Sequence, residues 1–251
     1  MPNIFDVARQ AGVSTTTVSH VLNRTRYVSP ELTQRVLRVV DTLGFRPSFV
    51  ARSLRAGRTQ SVGLVVSDVL NPFFTQVTRA IEDRLRPAGY SVIICSTDED
   101  PAVERSSLQV LADKQVDGII LAPTAGDHRF LAALSRKIPV VLINREVPGP
   151  ALPRVTTDNR GGARLAVEHL ISHGHRRIGM ILGLRALSTS RDRLAGYADA
   201  LRAARIPVDT TLVAHGGSTA EGAEAAMQEL FASRRRPTAI FVGSVGMTVG
   251  V

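Results

Sequence analysis

The chain has 251 residues, 44% of them hydrophobic, a single cysteine and a net charge of +9. Length and composition predict a protein of one to three domains with a sizeable core. No apolar run approaches the ~20 residues that cross a bilayer, and no charged-then-apolar leader opens the chain, so no membrane contact and a cytoplasmic location are expected. Cys95 stands in the apolar run 90–95, which excludes a disulfide framework or thiolate cluster within one chain and predicts a core residue. The charge is uneven: residues 1–60 hold nine arginines against Asp6, Glu31 and Asp41, so most of the excess lies there. A basic head on a nearly neutral body predicts contact with a polyanion.

Ile4, Val7, Ala8 and Ala11 recur at the spacing of one helical stripe, and Gly12 follows where a left-handed residue ends a helix. Ser14 is placed to cap a second helix, in which Val18, Val21 and Leu22 fall on one side and Thr15, Thr16, Ser19, His20 and Asn23 on the other. One face packs, and the other is free to touch a partner. Ser29 and Pro30 open a third helix whose apolar stripe is Leu32, Val36, Val39, Val40 and Leu43, up to Gly44. Residues 46–58 fit a helix of about two turns, marginal alone in water, and mark the boundary between head and core.

Beyond Ser61 the pattern changes. Strands are expected at 62–66, 90–95, 118–122 and 140–143, with helices at 72–86, 102–113 and 129–135 between them. After the proline-rich break at 148–153 come a helix at 162–172, a strand at 178–182, a helix at 191–204, a strand at 211–214, a helix at 220–232 and a strand at 238–242. This alternation predicts two α/β lobes with parallel sheets and a cleft between them. The expected divisions are 1–45 for a helix-turn-helix head, 46–60 for a hinge, 61–150 for a first lobe and 151–251 for a second.

The run from Ile4 to Asn23 (IFDVARQAGVSTTTVSHVLN) resembles the helix-turn-helix of the LacI/GalR family, as do Val28-Ser29-Pro30, Leu43-Gly44-Phe45-Arg46-Pro47 and Ala51-Arg52-Ser53-Leu54. A looser resemblance through Asn71-Pro72-Phe73-Phe74, Thr157-Asp158-Asn159, Gly174-His175-Arg176-Arg177-Ile178 and Arg193-Leu194-Ala195-Gly196-Tyr197 covers nearly the whole chain. It implies an all-α helix-turn-helix head on a two-lobed α/β core like that of the periplasmic binding proteins. The implied function is sequence-specific transcription regulation, by repression, with operator affinity set by a sugar-like small molecule bound between the lobes. Its partners would be double-stranded operator DNA, the effector and a second copy of the chain, with no cofactor and no metal.

By resemblance, Thr15, Thr16 and His20 read base edges, while Ser14, Thr17, Ser19, Asn23, Tyr27 and Ser29 contact phosphates. Ala51, Arg52, Leu54 and Arg55 match a minor-groove hinge in which Leu54 is a wedge between base steps; the alternative is a leucine packed on the head's own helices. Asn71, Phe73, Phe74, Thr189 and Arg193 match effector contacts. Phe74 reads equally as a core residue, and Asp158 and Asn159 either line the cleft or cap the helix that follows. After Val242 the family has an Asn-Asp pair, whereas this chain has Gly243-Ser244-Val245-Gly246-Met247 and stops at Val251. That departure predicts an incomplete second lobe and a weakened homodimer.

Rival readings have less behind them. His169, His173 and His175 have only Glu168 as a nearby carboxylate, so no metal site is expected. The chain has no glycine-rich phosphate loop and no nucleophile elbow, so it is not expected to be an enzyme, even one with a DNA tether. A solute-binding module would lack the basic head.

Overall fold

Helices α1 (Ile4–Ala11), α2 (Thr15–Asn23) and α3 (Pro30–Leu43) pack around Val7, Ala8, Ala11, Val18, Val21, Val36 and Phe45 in a computed structural model that describes residues 2–46, 57–232 and 236–251. Fully burying a valine stabilises by about 1.5–3 kcal/mol, and so small a core depends on well-made helix ends. Asn3 and Asp6 form a capping box on α1, Ser14 accepts the Thr17 amide at the start of α2, and Ser29 accepts the Leu32 amide behind Pro30. Gly12 and Gly44 adopt the left-handed conformation that closes α1 and α3. Ala51, Arg52, Leu54 and Arg55, expected from resemblance to form a hinge, lie outside the described residues. The chain divides into two units, 1–59 and 60–251.

The second unit contains two parallel sheets. In the first, β1 (Ser61–Val66) is flanked by β2 (Ser91–Ser96) and β3 (Gly118–Leu121), then β4 (Val140–Ile143) and β5 (Arg154–Val155), in the order β2-β1-β3-β4-β5. Strand β1 is buried along its whole length, which explains its unbroken apolar run. Its side chains alternate: Val65 joins the cluster around Leu108 and Leu111 of α5 (Pro101–Asp113), while Leu64 and Val66 meet Phe74 of α4 (Pro72–Leu85) on the other face. Edge strand β2 carries Cys95, which is half-buried and not fully in the core; burial pushes its thiol pKa up against a smaller opposing effect of the Ser107 hydrogen bond. Helix α6 (Leu131–Leu134) is shorter than the 129–135 read from sequence, and β5, unread there, carries the first sheet beyond residue 150.

The second sheet has the order β7-β6-β8, from β6 (Ile178–Leu182), β7 (Val213–His215) and β8 (Ala239–Val242). Helices α7 (Asn159–Ser172) and α8 (Ser188–Ala203) cover one face through Val167, Tyr197, Ala200 and Leu201; α9 (Ala220–Ala232) and α10 (Val245–Thr248) cover the other through Ala223, Ala226, Leu230 and Met247. The Tyr197 hydroxyl, fully buried, donates to the Ile178 carbonyl at 2.7 Å. Both α7 and α8 begin earlier than read from sequence, at Asn159 and Ser188 instead of Gly162 and Arg191. Asp158 caps α7 by accepting the Gly161 amide and also borders the cleft, as does Asn159, the first residue of that helix, so the two alternatives coincide.

One side chain ties the first sheet together. Arg145, just after β4, donates to Glu99 after β2 at 2.8 Å, to the Pro123 carbonyl after β3 at 2.9 Å and to Ser67 after β1 at 3.3 Å. Glu104 of α5, itself buried, holds the loop carrying Pro123 by accepting the Thr124 amide at 2.6 Å and pairing with His128 Nε2 at 2.9 Å.

Removing Arg145 leaves the Glu99 carboxylate in the fold without its counter-charge. Arg145→Met is expected to destabilise the core by about 3–5 kcal/mol, read as a lowered denaturation midpoint. At Gly196 an added Cβ would collide with the Arg160 carbonyl across the α7–α8 contact. Gly196→Ala is therefore expected to cost about 1–3 kcal/mol through overpacking, where an ordinary helix glycine would gain from alanine; an unchanged or raised midpoint would contradict this contact.

Candidate functional site

The outer face of α2 is polar for a structural reason: Val18 and Val21 take the inward positions of a nine-residue helix, which sends Thr16 and Asn23 to the surface and leaves Thr15, Thr17, Ser19 and His20 half-buried. The Ser14 hydroxyl, at the helix N-terminus, also meets the Thr17 hydroxyl at 2.9 Å. His20 Nδ1 lies 2.7 Å from the Thr25 hydroxyl, so one ring nitrogen is held from within the head and Nε2 is left for an outside partner. Asn23 folds back on Ser19, donating to its carbonyl at 2.9 Å. Tyr27 is 89% exposed. Arg9 is ion-paired with Asp6, whereas Arg24, Arg26, Arg35, Arg38 and Arg46 are exposed and, among the described residues, without ion-pair partners. The structure thus brings Ser14, Thr15, Thr16, Thr17, Ser19, His20 and Asn23 onto one short helix and its cap, with Tyr27 and Ser29 on the segment leading into α3.

The second unit holds a cleft of about 820 Å³ whose walls come from both sheets. It forms where parallel topology puts it, at the carboxyl ends of the strands and the N-termini of the helices that follow, beside the point where the first sheet runs from β1 to β2 on one side and to β3 on the other. Asn71, Phe73, Phe74, Thr189 and Arg193 all border it. Their situations differ. Asn71 caps α4 through the Phe73 amide, and Phe73 stands edge-on to Phe74 with ring centroids 5.1 Å apart. Phe74 is 2% exposed and packs with Leu64, Val66 and Ala122, so its main environment is core and Phe73 offers the more accessible ring.

Thr189 is buried in the first turn of α8. One turn on, Arg193 donates to the Gly243 carbonyl; burial, and next the positive charge of Arg145, hold its pKa below the usual guanidinium value. Ser244, within the segment that departs from the family pattern, accepts the Met247 amide and starts α10.

Sequence reading missed Arg145, Glu99, Ser67 and Ser190, all of which border the cleft. Position was the available signal for two of them, since Ser67 directly follows β1 and Arg145 lies just past the end of β4, where α/β sheets place ligands. A second signal appears only in the coordinates. Of eight non-glycine residues with positive φ among those described, Asp98, Glu99, Asn144 and Ser218 border the cleft. Such residues cost of order 1–3 kcal/mol each and concentrate at functional sites.

Comparison with known proteins fits both halves. Residues 3–48 match the model of bacterial regulatory proteins, lacI family, and residues 59–250 match that of periplasmic binding proteins and sugar binding domain of LacI family. The HTH-type transcriptional repressor PurR of Photobacterium profundum is 39% identical over 243 residues, covering 96% of this chain and 73% of that protein. The ribose operon repressor of Haemophilus influenzae is 37% identical over 252 residues, covering 100% of this chain and 75% of its own length. Among solved structures, the lac repressor dimer bound to operator and the anti-inducer ONPF aligns over 99% of this chain and 76% of that one, with a TM-score of 0.85 and 25% identity. With a basic three-helix head, a two-sheet core around one cleft and matches of this extent to both, the chain belongs to the LacI family of bacterial regulatory proteins.

Proposed function

We propose that this protein is a sequence-specific DNA-binding repressor of transcription whose operator affinity is set by a small molecule held in the cleft of the core. The observation that carries the reading is the polar outer face of α2, with a hydroxyl-capped N-terminus, on the unit that holds most of the excess positive charge. A helix of this kind fits the major groove, where Thr15, Thr16 and His20 meet base edges. The reading has Thr25 donate to His20 Nδ1, 2.7 Å away, in the tautomer that carries its proton on Nε2, the donor that guanine N7 or O6 requires. Ser14, Thr17, Ser19, Asn23, Tyr27 and Ser29 then hold phosphates and fix register. The segment with Ala51, Arg52, Leu54 and Arg55 reads the minor groove in the same complex.

The cleft takes the effector, with Asn71, Phe73, Thr189 and Arg193 as contacts and Phe74 behind Phe73. The named relatives are repressors, and the reading assigns the cleft groups to binding and orientation, with no catalytic step. The lac repressor structure is that of a dimer on operator DNA; the same arrangement here makes the operator a pseudo-palindrome and the site of action the chromosome in the cytoplasm.

In vitro selection of DNA bound by the purified protein is expected to return two related half-sites about one helical turn apart, or a multiple of that. Against the selected site, His20→Ala is expected to lose about 1–3 kcal/mol of discrimination at one base pair per half-site. Thr25→Val should relax the same position to a smaller extent. Tyr27→Phe is expected to weaken binding to all sequences alike, because the reading gives the exposed hydroxyl a phosphate contact and no base contact. Equal affinity for random and selected duplexes at physiological salt would defeat the assignment.

A further inference from the structure

The two walls of the cleft are electrostatically unlike, and that difference bears on which molecules fit it. Helix α8 starts in the cleft wall at Leu187, a residue that supplies no side-chain cap. The first N–H groups of a helix have no partner within it, and the helix end carries about half a positive charge. In this first turn Thr189 and Ser190 are each 4% exposed and border the cleft, yet among the described residues their hydroxyls make no hydrogen bond. Polar side chains of residues buried to that degree are ordinarily hydrogen-bonded, and these two oxygens are not sealed in the interior but reach the cleft. Ser188 differs, because its oxygen already accepts the Glu146 amide at 2.9 Å.

Arg193, on the same side of the helix, has the Gly243 carbonyl as its hydrogen-bond partner and, among the described residues, no carboxylate in ion-pair contact. Burial and then the neighbouring Arg145 charge act against its charged form, with Asp192 opposing them to a smaller extent. The acidic residues on the border are engaged elsewhere. Glu99 holds Arg145, Asp158 accepts the Gly161 amide, Asp68 accepts the Leu70 amide and Asp98 accepts the Ser96 hydroxyl. Donors with spare capacity therefore gather at one pole.

Resting on the reading of this cleft as the effector site, we propose that the start of α8, with Thr189, Ser190 and Arg193, is an oxyanion subsite, and that the effector carries a compact phosphate ester or carboxylate seated on it. An oxyanion at a helix N-terminus accepts several N–H and O–H groups at once and compensates the guanidinium charge. A neutral hydroxyl accepts from the same donors but adds no negative charge to that of Asp192, which offsets the burial of Arg193 only in part.

Isothermal titration calorimetry of the full chain tests this with hexose and pentose monophosphates, the corresponding sugar acids, the free sugars, nucleobases and inorganic phosphate. An oxyanionic member is expected to bind about 10- to 100-fold more tightly than its neutral parent, and inorganic phosphate is expected to compete with it. Preference for the ester or for the acid identifies which oxyanion the site takes. Ser190→Asp puts a carboxylate where helix starts favour one, and is expected to abolish the preference; Thr189→Val is expected to reduce it several-fold. A free sugar or nucleobase that binds as tightly as any charged member, or a preference unaltered in both variants, overturns the oxyanion subsite and leaves the cleft reading standing. Absence of binding by every compound, inorganic phosphate included, overturns both.

Discussion

Arg145 is the group on which the sensing half of this protein depends. Parallel strands end in separate loops, and nothing in strand pairing itself holds those loops in register with one another. A single guanidinium does so here, reaching the ends of β1, β2 and β3 from the end of β4. Taking that charge out of water costs several kcal/mol, and the arrangement is stable only because Glu99 supplies a carboxylate at close range. The requirement passes outward. Glu99 and Asn144 adopt left-handed backbone conformations on the loops that bring the pair together, and Glu104 with His128 fixes the loop whose carbonyl Arg145 uses. The shape of one cleft wall follows from pairing one buried cation through its two terminal nitrogens.

The opposite wall is built on other terms. Helix α8 is held against α7 by the backbone approach at Gly196 and anchored to β6 by the Tyr197 hydroxyl. Those contacts fix where its first turn lies, and hence where Thr189, Ser190 and Arg193 stand. One wall pairs Arg145 with Glu99 and also carries Asp68 and Asp98, while the other presents donors, so a ligand between them meets a polar gradient and not a uniform surface. That contrast is the physical content of the ligand proposal.

In the head, the same polar atoms serve two ends. Ser14 and Ser29 cap helices, Asn23 folds onto Ser19 and Thr25 holds His20, so these of the residues proposed to touch DNA are ordered before it arrives. Such pre-organisation lowers the entropy lost on binding. It also explains how so short a helix keeps a wholly polar outer face: its stability comes from Val18 and Val21 beneath and from its capped end, not from the side chains left free for recognition.

The sequence by itself determined the elements, because its information there is local. The stripe of Ile4, Val7, Ala8 and Ala11, the caps at Ser14 and Ser29 and the apolar runs of β1 and β6 each express a short-range preference, and the βαβ alternation then leaves parallel sheets as the arrangement they imply. The cleft residues Asn71, Phe73 and Arg193 were legible through family resemblance. Tertiary structure alone decided the rest. Whether Phe74 belonged to core or cleft depended on Leu64, Val66 and Ala122, and the early starts of α7 and α8 depended on how the chain enters each helix. Arg145 and Glu99 are 46 residues apart in the chain and find each other only once the strands between them are ordered side by side. A pair of that kind leaves no periodicity behind, because its partners are set by strand order in space and not by spacing along the chain.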